Sequence, residues 1–85
     1  MKHVVYILEC KDGSWYTGYT NNFARRLLMH EQGRGAKYTR GRGPFQVISV
    51  FNYESKSEAM QAEHALKKAI EKRKRAIRQR EGSRL

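Results

Sequence analysis

The stretch from His3 to Thr20 constrains the fold most, because it holds two β-patterned runs separated by one turn signal. His3 to Glu9 has β-branched or aromatic residues at nearly every position, and Trp15 to Thr20 reads as a second strand. Lys11-Asp12-Gly13 between them marks a hairpin with two possible closures. A two-residue type I′ turn pairs Cys10 with Trp15. A three-residue loop, with Gly13 left-handed as a bulge, pairs Cys10 with Ser14, Leu8 with Tyr16 and Tyr6 with Gly18. A slip of one residue sends Tyr16 to the other sheet face. Only the bulged closure sets Tyr6 and Tyr16 on one face as diagonal neighbours, with Gly18 leaving open space beside Tyr6.

Helix signals begin at once. Thr20 or Asn21 is placed to cap a helix from Asn22 to about Gln32, ended by Gly33. Its inward face reads Phe23, Ala24, Leu27 and Leu28, with Arg26 and His30 four apart on the flank. Residues 33–44 (GRGAKYTRGRGP) read as a flexible basic loop with a short helical turn around Lys37 to Thr39. Gln46 to Tyr53 follows as a strand, with Val47, Ser49, Phe51 and Tyr53 facing opposite to Ile48 and Val50. Ser55 and Glu58 form a capping box that opens a helix through about Ile70. Its apolar arc holds Ala59, Met60, Ala62, Leu66, Ala69 and Ile70, and Glu63 falls inside it. Glu71 to Gly82 reads as a separate basic helix that frays after Arg80. The order is β-β-α-β-α-α in one domain spanning 1–85, with its core at about 3–70.

Composition narrows what such a domain does. The longest apolar run, Val4 to Leu8, is five residues, which excludes a membrane-spanning helix and a signal-peptide core and places the chain in the cytosol. The single cysteine, Cys10, excludes an internal disulfide framework and a Cys-rich zinc site. Eighteen Lys and Arg against eight Asp and Glu leave a net charge of +10. Solubility rarely needs more than about +8, and so strong a field gathers polyanions, nucleic acid foremost. The charge clusters at Arg25, Arg26, Arg34, Lys37, Arg40 and Arg42, and again from Lys67 through Lys72, Arg73, Lys74 and Arg75 to Arg84.

Glu63 is the sharpest local conflict, a carboxylate on a face patterned for burial. An ionised carboxylate there needs a cation, either a metal or an arginine such as Arg26 in a structural salt bridge. Tyr6 and Tyr16 have an ordinary reading as hairpin aromatics, and His3 and His64 as surface groups. No Ser-His-Asp arrangement, paired-carboxylate motif or glycine-rich phosphate loop is present.

Taken together, Val5-Tyr6-Ile7 and, ten residues on, Tyr16-Thr17-Gly18 resemble the paired motifs of the GIY-YIG nuclease domain. Val5 and Thr17 stand where the family name has isoleucine. Arg26 follows the glycine by eight residues, His30 comes four later, and Glu63 lies on a later helix, in the family's order and spacing. Over about residues 3–70 the chain is similar to small stand-alone bacterial GIY-YIG proteins.

The resemblance implies an α+β fold, a three-stranded antiparallel sheet flanked by helices. It implies phosphodiester hydrolysis with one divalent cation, Mg²⁺ or Mn²⁺, held by Glu63 with waters and phosphate, which suits an ion that needs few protein ligands. By position, Arg26 would stabilise charge on the scissile phosphate and Tyr6 would activate the attacking water. Tyr16 and His30 would assist proton transfer or hold the phosphate. The basic residues expected to track nucleic acid are Arg25, Arg34, Lys37, Arg40, Arg42, Lys67, Arg73, Lys74 and Arg75, with Tyr38 among them. Several family members carry an asparagine after the glutamate helix, whereas this chain has Lys72, Arg75, Arg78 and Gln79 there. The expected activity is a structure-selective endonuclease acting on branched or single-stranded DNA in repair or processing. A weak or inactive nucleic-acid-binding module and an RNA or ribonucleoprotein accessory protein are the alternatives. No membrane partner is expected.

Overall fold

The hairpin closes through the bulged turn. In the computed structural model, which describes residues 3–83 and side chains only as far as Lys72, β1 (His3–Glu9) and β2 (Trp15–Thr20) pair antiparallel. Cys10 N–H donates to Ser14 O at 2.8 Å, Gly13 N–H donates to Cys10 O at 2.9 Å, and Gly13 takes φ +84°. Left-handed backbone costs glycine least, so Gly13 supplies the bulge. The Asp12 carboxylate fixes the turn by accepting from the Ser14 N–H (3.0 Å) and hydroxyl (2.6 Å). Tyr6 therefore lies opposite Gly18, and Leu8 opposite Tyr16. The space beside Tyr6 is not open, as the sequence suggested. A Cβ on Gly18 would collide with the Tyr6 ring and hydroxyl and come within 2.9 Å of Tyr16 Cε2. Glycine is needed there because the two rings lie over its backbone.

The third strand, β3 (Gln46–Tyr53), pairs antiparallel with the other side of β1, giving the order β2-β1-β3. The central strand is buried on both faces, with Val5, Tyr6 and Leu8 fully covered. A register shift between Ile7 and Leu8 sets Ile7 opposite Ser49 but Leu8 opposite Val47. That irregularity breaks the expected alternation. Val47 joins the Leu8 face, while Ser49, Phe51 and Tyr53 keep to the Val5 face.

Asn22, one residue later than expected, caps α1 (Phe23–Glu31), because its side-chain oxygen reaches the Arg25 N–H at 3.2 Å. The helix ends in a Schellman motif. Gly33 (φ +77°) donates to His30 O at 3.0 Å and Arg34 N–H donates to Met29 O at 2.7 Å. The buried face is rotated from the expected one. Ala24 and Leu28 are exposed, Leu28 at 52%, while Phe23 packs on Tyr6 with ring centroids 5.2 Å apart and His30 turns inward. Two hydrogen-bond partners for the imidazole, described below, make a buried histidine the better inward residue.

The final helix, α2 (Lys56–Ser83), is one continuous element of 28 residues and packs against all three strands. The expected break at Glu71 is absent because no proline or glycine interrupts the chain between Ser55 and Gly82. The order is thus β-β-α-β-α. Ser55 Oγ accepts from the Glu58 N–H at 3.1 Å, so the cap forms as expected. Ala59 and Ile70 are buried, whereas Ala69 is exposed at the limit of the packed face. No helix among the described residues is long and apolar enough to cross a membrane.

Candidate functional site

Tyr6 projects from the centre of the sheet, so its hydroxyl depends on α1 and the 33–44 loop for partners. It lies 2.7 Å from His30 Nε2, and His30 Nδ1 lies 2.8 Å from Thr39 Oγ1. The third bond orients the other two. Thr39 Oγ1 donates its hydrogen to Ala36 O at 3.1 Å, which leaves it accepting from Nδ1–H. His30 Nε2 then carries the lone pair, and the Tyr6 hydroxyl donates to it. All three side chains are buried, at 0%, 1% and 1% exposure.

The expected turn at 37–39 delivers Thr39. Thr39 N–H bonds Ala36 O at 3.2 Å, and Arg42 N–H bonds Thr39 O at 3.1 Å. The loop crosses His30 at Gly35, where a Cβ would overlap the imidazole. It is not free at its far end. Arg42 O accepts from Lys11 N–H at 2.7 Å, and the Arg42 guanidinium pairs with Asp12 in the hairpin turn. Arg42 also sits 4.6 Å over the Tyr38 ring, and Tyr38 stacks on Tyr16 at 6.0 Å and 21°. Tyr16 in turn lies 6.3 Å from the Tyr6 ring and 5.3 Å from that of His30.

Charge reaches this aromatic cluster from two sides. Burial pushes the Tyr6 hydroxyl up to about 12, against the pull of the adjacent Arg26 guanidinium, while the Glu63 carboxylate and Tyr16 add to the rise. Burial also raises Tyr16, with Arg26 opposing and Glu63 reinforcing. His30 is held below its ordinary value by burial and then by Arg26, so the imidazole is neutral at pH 7. Arg26 Nε is buried and has no hydrogen-bond partner among the described residues. Glu63 pairs with Lys67 at 3.8 Å, its side chain 19% exposed, and makes no ion pair with Arg26 among the described residues.

Tyr6, Tyr16, His30, Arg26 and Glu63 are thus brought together by ring contact, hydrogen bond or electrostatic coupling. The basic residues divide. Arg25, Arg34, Lys37 and Arg40 are exposed. Arg42 is spent on Asp12 and Tyr38, and Lys67 on Glu63. The side chains of Arg73, Lys74 and Arg75 lie outside the described residues. A cleft of about 230 Å³ between β2 and α2, lined by Trp15, Tyr16, Tyr38, Lys67 and Ile70, opens beside Tyr16. Reasoning from sequence missed Thr39, Gly35 and Asp12. A threonine in a glycine-rich basic loop looks like surface, and no spacing rule links it to a histidine nine residues earlier.

A GIY-YIG catalytic domain family model matches residues 2–76. The chain belongs to the GIY-YIG nuclease superfamily. It is 53% identical over 77 residues to the UPF0213 protein BH0048 of Halalkalibacterium halodurans, covering 91% of this chain and 82% of that one. It is 47% identical over 72 residues to the UPF0213 protein YazA of Bacillus subtilis, covering 85% and 73%. Among solved structures, the solution NMR structure of BH0048 aligns with a TM-score of 0.55 over the same shares of the two chains. That of EF2693 from E. faecalis aligns with a TM-score of 0.57 at 47% identity, covering 80% and 73%. The three-stranded antiparallel α+β fold of this GIY-YIG domain agrees with both.

Nucleases of this superfamily typically use a divalent cation. No group of three or more His, Cys, Asp or Glu side chains converges among the described residues. The half-buried Glu63 carboxylate is a hard oxygen donor whose chemistry fits a cation that keeps most of its waters.

Proposed function

We propose that this protein is a metal-dependent endonuclease that hydrolyses phosphodiester bonds of DNA, structure-selective rather than sequence-specific, and serves in repair or processing. The observation that carries this reading is the oriented chain from Tyr6 O–H to His30 Nε2 and from Nδ1–H to Thr39, set beside an arginine whose Nε has no partner. A pure binding surface does not require a buried tyrosine hydroxyl, a neutral imidazole, an arginine and a carboxylate gathered in one place.

The residues divide the work by chemistry. Arg26 offers a fixed cation and an unused donor to a phosphate oxygen. His30 Nε2, neutral and unprotonated, is the sink for the Tyr6 proton, which leaves the phenolate oxygen free to take a proton from water. Tyr6 is wholly covered, and the Arg26 charge acts on its hydroxyl to favour loss of the proton against the effect of burial. Tyr16, half-buried and stacked on Tyr38, borders the opening and orients the phosphate. Glu63 would hold Mg²⁺ or Mn²⁺, which when bound supplies positive charge against the charge developing on the phosphate and leaving oxygen.

The test is cleavage of a panel of branched, single-stranded and duplex DNA, with RNA alongside, in Mg²⁺, Mn²⁺ and chelator. Glu63→Gln keeps the shape and removes the charge, so cleavage should fall by about two to three orders of magnitude while nucleic-acid affinity holds. A wild-type protein that cleaves nothing in either metal overturns the reading. A second reading, a nucleic-acid-binding module with weak cutting, draws on one observation: a hydroxyl held near 12 and sealed from solvent is a poor base at neutral pH.

A further inference from the structure

We propose that Thr39 is a positioning residue that fixes the tautomer of His30, and so sets the direction in which the Tyr6 proton moves. The proposal deepens the nuclease reading and rests on it only where activity is measured. The neutral imidazole has two tautomers, and only the one protonated at Nδ1 leaves Nε2 able to accept from Tyr6. The choice between them is made at Nδ1. Thr39 Oγ1 is already committed as a donor to Ala36 O at 3.1 Å, so at 2.8 Å from Nδ1 it acts as an acceptor. The opposite tautomer would put two lone pairs face to face at Nδ1 and turn Tyr6 into an acceptor from Nε2–H. A tyrosine in that arrangement keeps its proton and has nowhere to send it.

The local fold makes the assignment rigid. Thr39 is 1% exposed and His30 is 1% exposed, so water does not compete at Nδ1. Ala36 O is aimed at Thr39 by the same turn in which Thr39 N–H donates to Ala36 O at 3.2 Å. Gly35 brings that turn against the imidazole, where any side chain would occupy the ring's own volume. Tyr6, Tyr16 and Phe45 contact the ring, burial and then the Arg26 charge keep it neutral, and Thr39 Oγ1 is the hydrogen-bond partner at Nδ1. Serine keeps the hydroxyl that threonine provides, and valine keeps the shape without it.

The experiment reads the tautomer directly, by ¹⁵N NMR of the imidazole nitrogens in the labelled full chain at pH 7.5, with His3 and His64 assigned by substitution. In the wild type, His30 should show a protonated Nδ1 and a bare Nε2. Thr39→Val should invert this to Nε2–H, and Thr39→Ser should retain the wild-type pattern. In the cleavage assay, T39V should lower kcat about a hundredfold with little change in KM, and T39S should recover to within about fivefold, the span expected of one general acid–base group. A wild-type His30 protonated at Nε2 overturns the proposal, as does a T39V spectrum identical to wild type. If T39V does not fold, the wild-type and T39S spectra still decide the tautomer. A wild type without nuclease activity leaves the NMR result standing and removes only the nuclease reading.

Discussion

His30 is a side chain whose burial has a thermodynamic signature as well as a chemical one. Its folded-state pKa lies below the ordinary histidine value of 6.5, lowered first by burial and then by Arg26. The unfolded chain therefore binds more protons than the folded chain as pH falls through that value, and stability declines on acidification. Protonated Nε2 also cannot accept from Tyr6, so acid breaks the bond at the centre of the cluster. Asp12 works in a lower window. Its carboxyl is held below 3.8 by the Ser14 hydroxyl and amide and by Arg42, so its contribution is complete above that value and lost only as pH falls through the folded pKa. Melting temperature should fall between pH 6.5 and 4.5 in the wild type, with a slope limited by one proton to about 1.4 kcal/mol per pH unit. His30→Gln should melt lower at pH 7.5 but lose most of that slope. Parallel curves for the two proteins would show that another group carries the dependence.

Between elements, the hairpin turn and the 33–44 loop hold one another. Arg42 reaches the turn twice, through its carbonyl to Lys11 N–H and through its guanidinium to Asp12, and Tyr38 lies beneath that guanidinium. Asp12→Asn keeps an oxygen for Ser14 and removes the charge. An exposed ion pair contributes little to global stability, so the melting temperature should barely move. The effect should appear in native-state hydrogen exchange. The Lys11 and Arg42 amides should exchange about two- to fivefold faster, with Leu8 and Tyr6 unchanged. Equal protection in both proteins would mean that the two backbone hydrogen bonds suffice. The hairpin register was legible in the sequence because Asp-Gly between two β-patterned runs leaves only two closures, and the Tyr6–Tyr16 relation selects between them. The helix ends were legible because Gly33 and the Ser55–Glu58 pair satisfy terminal backbone groups locally. What stayed hidden depends on contacts distant in sequence. The inward turn of His30 answers to Thr39 and Tyr6, the tether of the loop to Asp12, and the shift at Val47 to the partner strand. Glu63 is a mixed case. Its place in the apolar arc was readable, but its ion pair is with Lys67 one turn along the same helix, a partner that Arg26 had seemed better suited to be.

The whole molecule is a basic body of net charge +10 with principal extents of 50 × 28 × 18 Å, its long dimension matched by the 28-residue α2. The exposed Arg34, Lys37 and Arg40 of the loop are one proposed contact for a polyanion, and the basic sequence Arg73-Lys74-Arg75 is a second. The structure removes Arg42 and Lys67 from the count of free cations, because Asp12 and Glu63 already neutralise them. If the remaining three loop residues and Arg73, Lys74 and Arg75 each meet a phosphate, about six counterions are released on duplex DNA. The logarithm of affinity should then fall with the logarithm of salt concentration at a slope near −5. Replacing Arg73, Lys74 and Arg75 together by glutamine should roughly halve that slope, since glutamine keeps the helix propensity and removes only charge. The far-ultraviolet circular dichroism should be unchanged. Charge reversal at Asp12 removes the carboxylate that neutralises Arg42 and adds a cation, so the slope should steepen by about one to two. A triple variant with the wild-type slope would place the α2 cluster off the nucleic-acid surface and leave the loop, next to Tyr38 and the Tyr16 cleft, as the contact that matters.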